Sequence, residues 1–380
     1  MKVLFISHES ALNGAPRSML YLIEDLKNRF NIEPIVLTTQ QGPLIEELEK
    51  RNIRYIISKY HWWMTGKKGK YDIKYILKVM RFKGTRRFIY KKIYNLQKKY
   101  DIDLVHSNTS VCEVGSYIAE KRNIPHVWHI REHGMKDHGI DYIDDIEYVK
   151  KQYNKSSKVI CVSESVSNTY KNIIDKNKII VIPNGICIDK YFEKNFNKSE
   201  KVRFCTVGMI SPGKNQKETL KAIKMLVDKG YDNFEFNIIG SSLGSYKDEL
   251  LSYINKNNLK DKVIFHGYRN DVNNILKNMD IGIMTSINEA FGRVTVEYMA
   301  NYMPVIGVNT GGTAEIIKDK LNGFLYELNN IEELASKMEY FINNKDDIER
   351  IGKSAYKYVI EKYDMKTNTE KIYDVYKSIM

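Results

Sequence analysis

The decapeptide Asn288–Glu297, NEAFGRVTVE, sets two carboxylates, Glu289 and Glu297, eight positions apart around an aromatic-glycine-arginine step. Before it, IGIMTS reads as a buried strand; INEAF then reads as a loop, and GRVTVEYMANY as a helix starting at about Gly292. The start of such a helix offers free N–H groups and the positive end of its dipole, which suit a phosphate. Glu289 precedes the helix, and Glu297 lies roughly 7 Å further along its axis at ~1.5 Å per residue. Phosphate would repel a carboxylate, so each glutamate is better placed to accept hydrogen bonds from neutral hydroxyls on either side of a bound anion. A sugar and a ribose joined by a diphosphate would meet that arrangement; two solvated helix charges would also produce the pattern. Metal binding fits less well, because no Asp or His joins the pair locally and the DID triplet at Asp101–Asp103 simply opens a strand.

A site of this kind needs a rigid frame. Strand and helix patterns alternate along the chain, the mark of parallel sheets with crossover helices. KVLFI, PIVLT, RYIIS, DLVH, HVWHI, KVICV and IIVI form a first strand series. A second follows the polar EKNFNKSEK: VRFCTVG, FEFNIIG, KVIFHG, IGIMTS, PVIGV and GFLY. Several end in Gly or Ser before a helical pattern, where loops at strand carboxyl ends build ligand sites. With 380 residues, 43% of them apolar, the chain exceeds a single core. The expected fold is α/β, two Rossmann-like domains facing each other across a cleft, with a linker near residues 181–201.

In that frame Glu289 and Glu297, with AFG between them, resemble the signature of the family 4 retaining glycosyltransferases of the GT-B fold. NGAPRSMLYLI resembles the family's N-terminal glycine loop, and VIPNGI its segment at the start of the second domain. VGMISPGKNQ, FHGYRND and PVIGVNTGGTAEII match in order, and EKYDMKTNTEKIYDVYKSIM resembles the last helix, which in the family crosses back onto the first domain. The resemblance spans nearly the whole chain. It implies an N-terminal acceptor domain over 1–180, a donor domain over 181–360 and the returning helix over 361–380.

The resemblance also implies roles. Glu289 would contact the donor sugar and Glu297 the ribose hydroxyls. Amides around Phe291, Gly292 and Arg293 would face the sugar and diphosphate, and Gly14 would let the N-terminal loop approach the same phosphates. Lys214 matches the phosphate-binding lysine, and the segment around Tyr268 would meet the base. One position departs: the family usually has arginine five residues before the lysine, and here Met209 stands. A methionine cannot neutralise phosphate, which makes Arg293 the candidate to compensate. HVWHIREHG carries His129 and Arg131 where the family often has a histidine near the reacting sugar; His129 reads equally as core, whereas a strand-end cation at Arg131 could meet a phosphate. The implied reaction transfers a sugar with retention, the leaving diphosphate helping to deprotonate the acceptor, with no cofactor and no divalent metal required. UDP-sugars are the family's commonest donors and so the default.

Fourteen Lys or Arg and a single acid, Asp72, lie between Lys59 and Lys99, so this segment carries the whole net charge of +13. Aromatic residues, Trp62 and Trp63 among them, interleave the cations, a composition that suits an anionic membrane surface. A solvated helical face would show the same charge, and no recognised nucleic-acid-binding signature accompanies it. No apolar run is long enough to span a bilayer, and the four separated cysteines suit a reducing compartment. The expectation is a cytoplasmic enzyme on the inner face of the cell membrane, acting on a saccharide or lipid-linked acceptor of surface-polysaccharide synthesis. Rivals are a sugar-nucleotide epimerase or glycan phosphorylase on the same fold, or a nucleic-acid-binding protein using residues 59–99.

Overall fold

The computed structural model describes residues 1–66, 73–134, 139–188, 191, 194, 196, 200–242 and 244–380. The chain divides into two compact units, Met1–Gly185 with Met365–Met380, and Ile186–Asp364.

The first unit contains β1 (Lys2–Ile6), β2 (Glu33–Thr38), β3 (Arg54–Ile57), β4 (Met64–Gly66), β5 (Leu104–Ser107), β6 (His126–Ile130), β7 (Ile140–Tyr142), β8 (Lys158–Cys161) and β9 (Ile179–Val181). Its helices are α1 (Gly14–Phe30), α2 (Pro43–Lys50), α3 (Ile73–Gln97), α4 (Val114–Arg122), α5 (Ile146–Asn154) and α6 (Glu164–Tyr170). Seven strands pair in parallel in the order β3-β2-β1-β5-β6-β8-β9, and β4 pairs antiparallel with β7. Strands covered on both faces must be apolar throughout, as in β1, where Val3 to Ile6 are all fully buried.

The second unit contains β10 (Val202–Val207), β11 (Phe234–Ile239), β12 (Val263–Gly267), β13 (Ile281–Met284), β14 (Val305–Val308) and β15 (Gly323–Tyr326). Its helices are α7 (Gln216–Asp228), α8 (Tyr246–Lys256), α9 (Val272–Leu276), α10 (Arg293–Ala300), α11 (Gly311–Ile316), α12 (Ile331–Asn343) and α13 (Asp346–Lys362). Its sheet is parallel, in the order β12-β11-β10-β13-β14-β15. A last helix, α14 (Met365–Ile379), belongs to the first unit, where Ile372, Val375 and Tyr376 share a core with Val3, Phe5 and Val36.

Both sheets reverse their winding once, between β1 and β5 and between β10 and β13. Loops leaving the carboxyl ends of such a strand pair diverge to opposite faces and leave a crevice, the usual ligand position in open α/β sheets.

The basic segment is less uniformly exposed than its composition implies. Trp63 is fully buried, stacked 5.9 Å from Trp128, and its indole N–H donates to the Ser110 carbonyl at 2.6 Å. Arg86 faces inward, donating to Glu113 at 3.0 Å and Asp144 at 2.6 Å, with its guanidinium over the Phe82 ring. Neither residue faces a bilayer. Along α3 the buried stripe is Phe82, Tyr90, Ile93 and Gln97, and the exposed residues include Ile73, Leu77, Met80 and Phe88. Residues 67–72 lie outside the described residues.

Candidate functional site

In the second unit the loops after β10 and β13 meet. The Thr285 hydroxyl donates to the Lys214 carbonyl at 2.8 Å, and the Ile287 amide to the Gly213 carbonyl at 3.1 Å. These two bonds place side chains 75 positions apart in sequence together: Lys214 Nζ lies 2.7 Å from Glu289 Oε2, both partly exposed. Behind them the Gly312 amide donates to the Glu289 carbonyl at 2.7 Å. A Cβ on Gly311 would lie 2.6 Å from the Glu289 carbonyl oxygen, and one on Gly312 2.3 Å from that of Phe291, so only glycine allows this approach.

α10 starts from Gly292, whose φ of +91° turns the chain sharply into the helix. Phe291 points away from this surface, buried edge-on against Tyr363 at 5.7 Å, so only its backbone borders the site. One turn on, Arg293 Nε donates to Glu297 Oε1 at 2.8 Å. Tyr298 anchors the helix: its ring covers Gly282 of β13, where any Cβ would clash at 2.2 Å, and its hydroxyl accepts the Val207 amide at 2.6 Å. Met209 is 46% exposed, and its backbone carbonyl accepts from the Gln216 side-chain amide at 3.0 Å. Tyr268, after β12, is 67% exposed.

In the first unit a buried polar chain runs from α14 to α1. The Tyr376 hydroxyl lies 2.7 Å from His106 Nδ1, His106 Nε2 lies 3.3 Å from His129 Nδ1, and Arg131 Nη2 lies 3.2 Å from the same His129 atom. Arg131 also donates to Asn108 Oδ1 at 2.7 Å and to Asn184 Oδ1, and Asn108 donates to the Ala15 carbonyl at 3.0 Å. A guanidinium only donates, so His129 Nδ1 accepts, His106 Nε2 donates, and His106 Nδ1 accepts from Tyr376. Burial first, then the Arg131 charge, pushes both histidines well below their ordinary proton affinity, so both are neutral. Gly14, the first residue of α1, is exposed, and nothing lies within 4 Å of where its Cβ would be. Among the described residues no cluster of three His, Cys, Asp or Glu side chains is placed to hold a metal ion.

Two family models match the chain: Glycosyltransferase Family 4 over residues 12–190 and Glycosyl transferases group 1 over residues 188–358. Together they run unbroken from residue 12 to residue 358. The chain belongs to the family 4 glycosyltransferases. An uncharacterized glycosyltransferase of Methanocaldococcus jannaschii is 29% identical to this enzyme over 324 residues, 82% of the chain and 86% of the relative. The Escherichia coli UDP-Gal:alpha-D-GlcNAc-diphosphoundecaprenol alpha-1,3-galactosyltransferase is 27% identical over 305 residues, 75% of the chain and 77% of the relative. The fold is GT-B: the Anabaena protein HepE, solved with UDP and glucose, aligns over the full length of both chains with a TM-score of 0.80 at 21% identity.

The glycosyltransferase thus brings Lys214 to Glu289 and Arg293 to Glu297, and links His129 to Arg131. Tyr268 and Met209 stand apart as exposed side chains. His106, Asn108, Asn184, Tyr298 and Tyr376 were not singled out from the sequence. The one available signal was type: a buried tyrosine, asparagine or histidine must find a polar partner.

Proposed function

We propose that this glycosyltransferase moves a sugar from a nucleoside-diphosphate sugar, UDP-linked by default, to a saccharide or lipid-linked acceptor in cell-surface polysaccharide synthesis, with retention at the anomeric carbon. The observation that carries the reading is the Lys214–Glu289 pair at 2.7 Å, one loop away from the Gly292 helix start and the Arg293–Glu297 pair. UDP and glucose bound in HepE, and the diphosphoundecaprenol acceptor named for the Escherichia coli relative, support the substrate classes.

In this reading Glu297 accepts the ribose hydroxyls and Glu289 those of the donor sugar. Lys214, Arg293 and the amides at Gly292 take up negative charge on the departing diphosphate, a preorganised electrostatic contribution made without a metal. The bond from the anomeric carbon to the diphosphate oxygen breaks, the acceptor oxygen bonds to the same face, and the acceptor proton passes to the diphosphate. The resemblance adds Gly14 and the backbone around Tyr268 to donor binding. Arg131, oriented by Asn108, Asn184 and the neutral His129, serves the acceptor side, with His129 positioning it.

We assign the exposed stripe Ile73, Leu77, Met80 and Phe88 of α3, flanked by Lys74, Arg81, Lys83 and Arg87, to an anionic bilayer, which makes the enzyme a peripheral protein of the cytoplasmic membrane face. Among the described residues no helix is long and apolar enough to cross a membrane. The deciding experiment screens nucleotide sugars for thermal stabilisation and transfer, then reads the product by proton NMR. A new glycosidic bond with the donor's anomeric configuration supports the reading. Inversion, or release of free epimerised sugar nucleotide or sugar phosphate, sinks it.

A further inference from the structure

Residues 60–63 lie across the switch point of the first sheet. The Tyr60 hydroxyl donates to the Ser7 carbonyl and the Trp62 indole N–H to the His8 carbonyl at 3.2 Å, both just past β1. The Trp63 amide and indole N–H donate to the Val111 and Ser110 carbonyls at 3.0 and 2.6 Å, just past β5. Between this strap and α3 lies a hollow of about 330 Å³ lined by Tyr60, His61, Trp62, Lys78, Arg81 and Phe82, within the ~300–1,000 Å³ range of small-ligand sites.

Its chemistry is one-sided. Tyr60 and Phe82 are buried and form an apolar floor, while Trp62 is 38% exposed and offers a ring face. Two cations, Lys78 and Arg81, share the lining, and among the described residues no carboxylate does. Among the described residues no ion pair engages Lys78 or Arg81, whereas Arg86, one turn along, is held by Glu113 and Asp144. Burial, then the charges of Arg81, Lys59 and Lys78, lower the proton affinity of His61, as a positive field must. Beside each cation on the helix stands an exposed apolar side chain, Leu77 next to Lys78 and Met80 next to Arg81, 60% and 64% exposed. Two cations without an ion-pair partner among the described residues, sharing a hollow with aromatic rings and with apolar surface alongside, match an amphiphile carrying phosphate at one end.

We propose that this hollow is the acceptor subsite, holding the phosphate or diphosphate of a lipid-linked acceptor between Lys78 and Arg81 while its first apolar carbons lie along Leu77 and Met80. The proposal rests on the glycosyltransferase reading for the presence of an acceptor, but the site is argued from the first unit alone.

The probe is farnesyl diphosphate below its micellar concentration, read by tryptophan fluorescence. Of the three tryptophans, Trp63 and Trp128 are fully buried, so Trp62 is the reporter, and Trp62→Phe provides the control. The expected result is a saturable change, competed by inorganic diphosphate and weakened roughly tenfold or more by Lys78→Gln with Arg81→Gln. Arg87→Gln with Lys91→Gln, on exposed positions of the same helix, should shift it less than about twofold. Equal binding by the Lys78/Arg81 variant, or equal response to farnesol, overturns the proposal. A response to phosphatidylglycerol vesicles that Lys78→Gln with Arg81→Gln removes as fully as the farnesyl diphosphate response overturns it in favour of lipid headgroups, whereas vesicle binding that survives in that variant leaves the hollow to the acceptor. Thermal stabilisation by UDP is measured in parallel; its absence in the wild-type protein would count against the donor reading and leave the result at the hollow standing.

Discussion

Lys214 and Glu289 form an ion pair at 2.7 Å that joins the loops after β10 and β13, with side chains 34% and 20% exposed. At that exposure an ion pair contributes under ~1 kcal/mol to stability. Two separate backbone bonds already hold the loops together. The pair's placement is therefore better explained by what binds there than by what it stabilises.

Lys214→Ala should lower turnover by about 10²–10³, the scale of losing one donor to a developing charge, while unfolding free energy changes by less than ~1 kcal/mol. Glu289→Gln should likewise reduce turnover far more than UDP affinity if, as proposed, the carboxylate serves the donor sugar. Transfer kinetics alongside UDP titration check both, and parallel losses in affinity and turnover for Glu289→Gln would remove it from the sugar.

Glu297→Ala should weaken UDP binding by about 1.5–3 kcal/mol, the range for hydrogen bonds to a charged group. Arg293 bonds to this carboxylate through Nε, so Arg293→Ala removes a cation and also releases Glu297. The exposed Met209 side chain leaves room for Arg, and adding Met209→Arg to Arg293→Ala should recover part of the lost affinity. Strict additivity in the double-mutant cycle would show that the two positions serve different partners.

Stability should fall on acidification. His106 and His129 are neutral and buried, and burial pushes His126 down to about 3. Below the ordinary histidine value of 6.5 the unfolded chain binds protons that the folded chain refuses, so their stabilising contribution is complete above about pH 6.5 and is lost as pH drops. Each contributes a slope of about 1.4 kcal/mol per pH unit in that window. Thermal midpoints between pH 7.5 and 5 measure it, and a flat profile would mean that these histidines protonate in the folded protein.

Reversing Arg87, Lys91 and Lys92 to Glu should release the enzyme from anionic vesicles at low salt and leave UDP binding intact. Arg86→Glu should instead unfold the first unit, costing roughly 3–5 kcal/mol, because it leaves Glu113 buried opposite a like charge. Co-sedimentation and thermal denaturation separate the two effects. Wild-type protein that ignores anionic vesicles would end the membrane assignment.

The two sheets were legible in the sequence because strands covered on both faces are continuous apolar runs; Glu289, Lys214 and Glu297 stood out as candidates because their spacing is local or matches ordered motifs. What escaped was set by distance along the chain. Tyr298 reaches Val207 across 91 positions and Tyr376 reaches His106 across 270, and no periodicity encodes either. Composition also misled within residues 59–99: Arg86 and Trp63 have the types of an interfacial segment but are consumed by an internal ion pair and an aromatic stack. β4 and β7, three residues each, are too short to carry an alternation signal.

The position of α14 sets an order of events during synthesis. Ile372, Val375 and Tyr376 complete a core that otherwise comes from residues made near the start of the chain, such as Val3 and Phe5. The intervening Ile186–Asp364 unit has its own core and can finish folding as soon as it emerges. The first unit, although made first, must wait with apolar surface and His106 uncovered until residue 376 has cleared the ribosome. A released chain truncated after Asp364 should accordingly show a protease-resistant second unit and a sensitive first one, reversing the usual amino-to-carboxyl order of maturation.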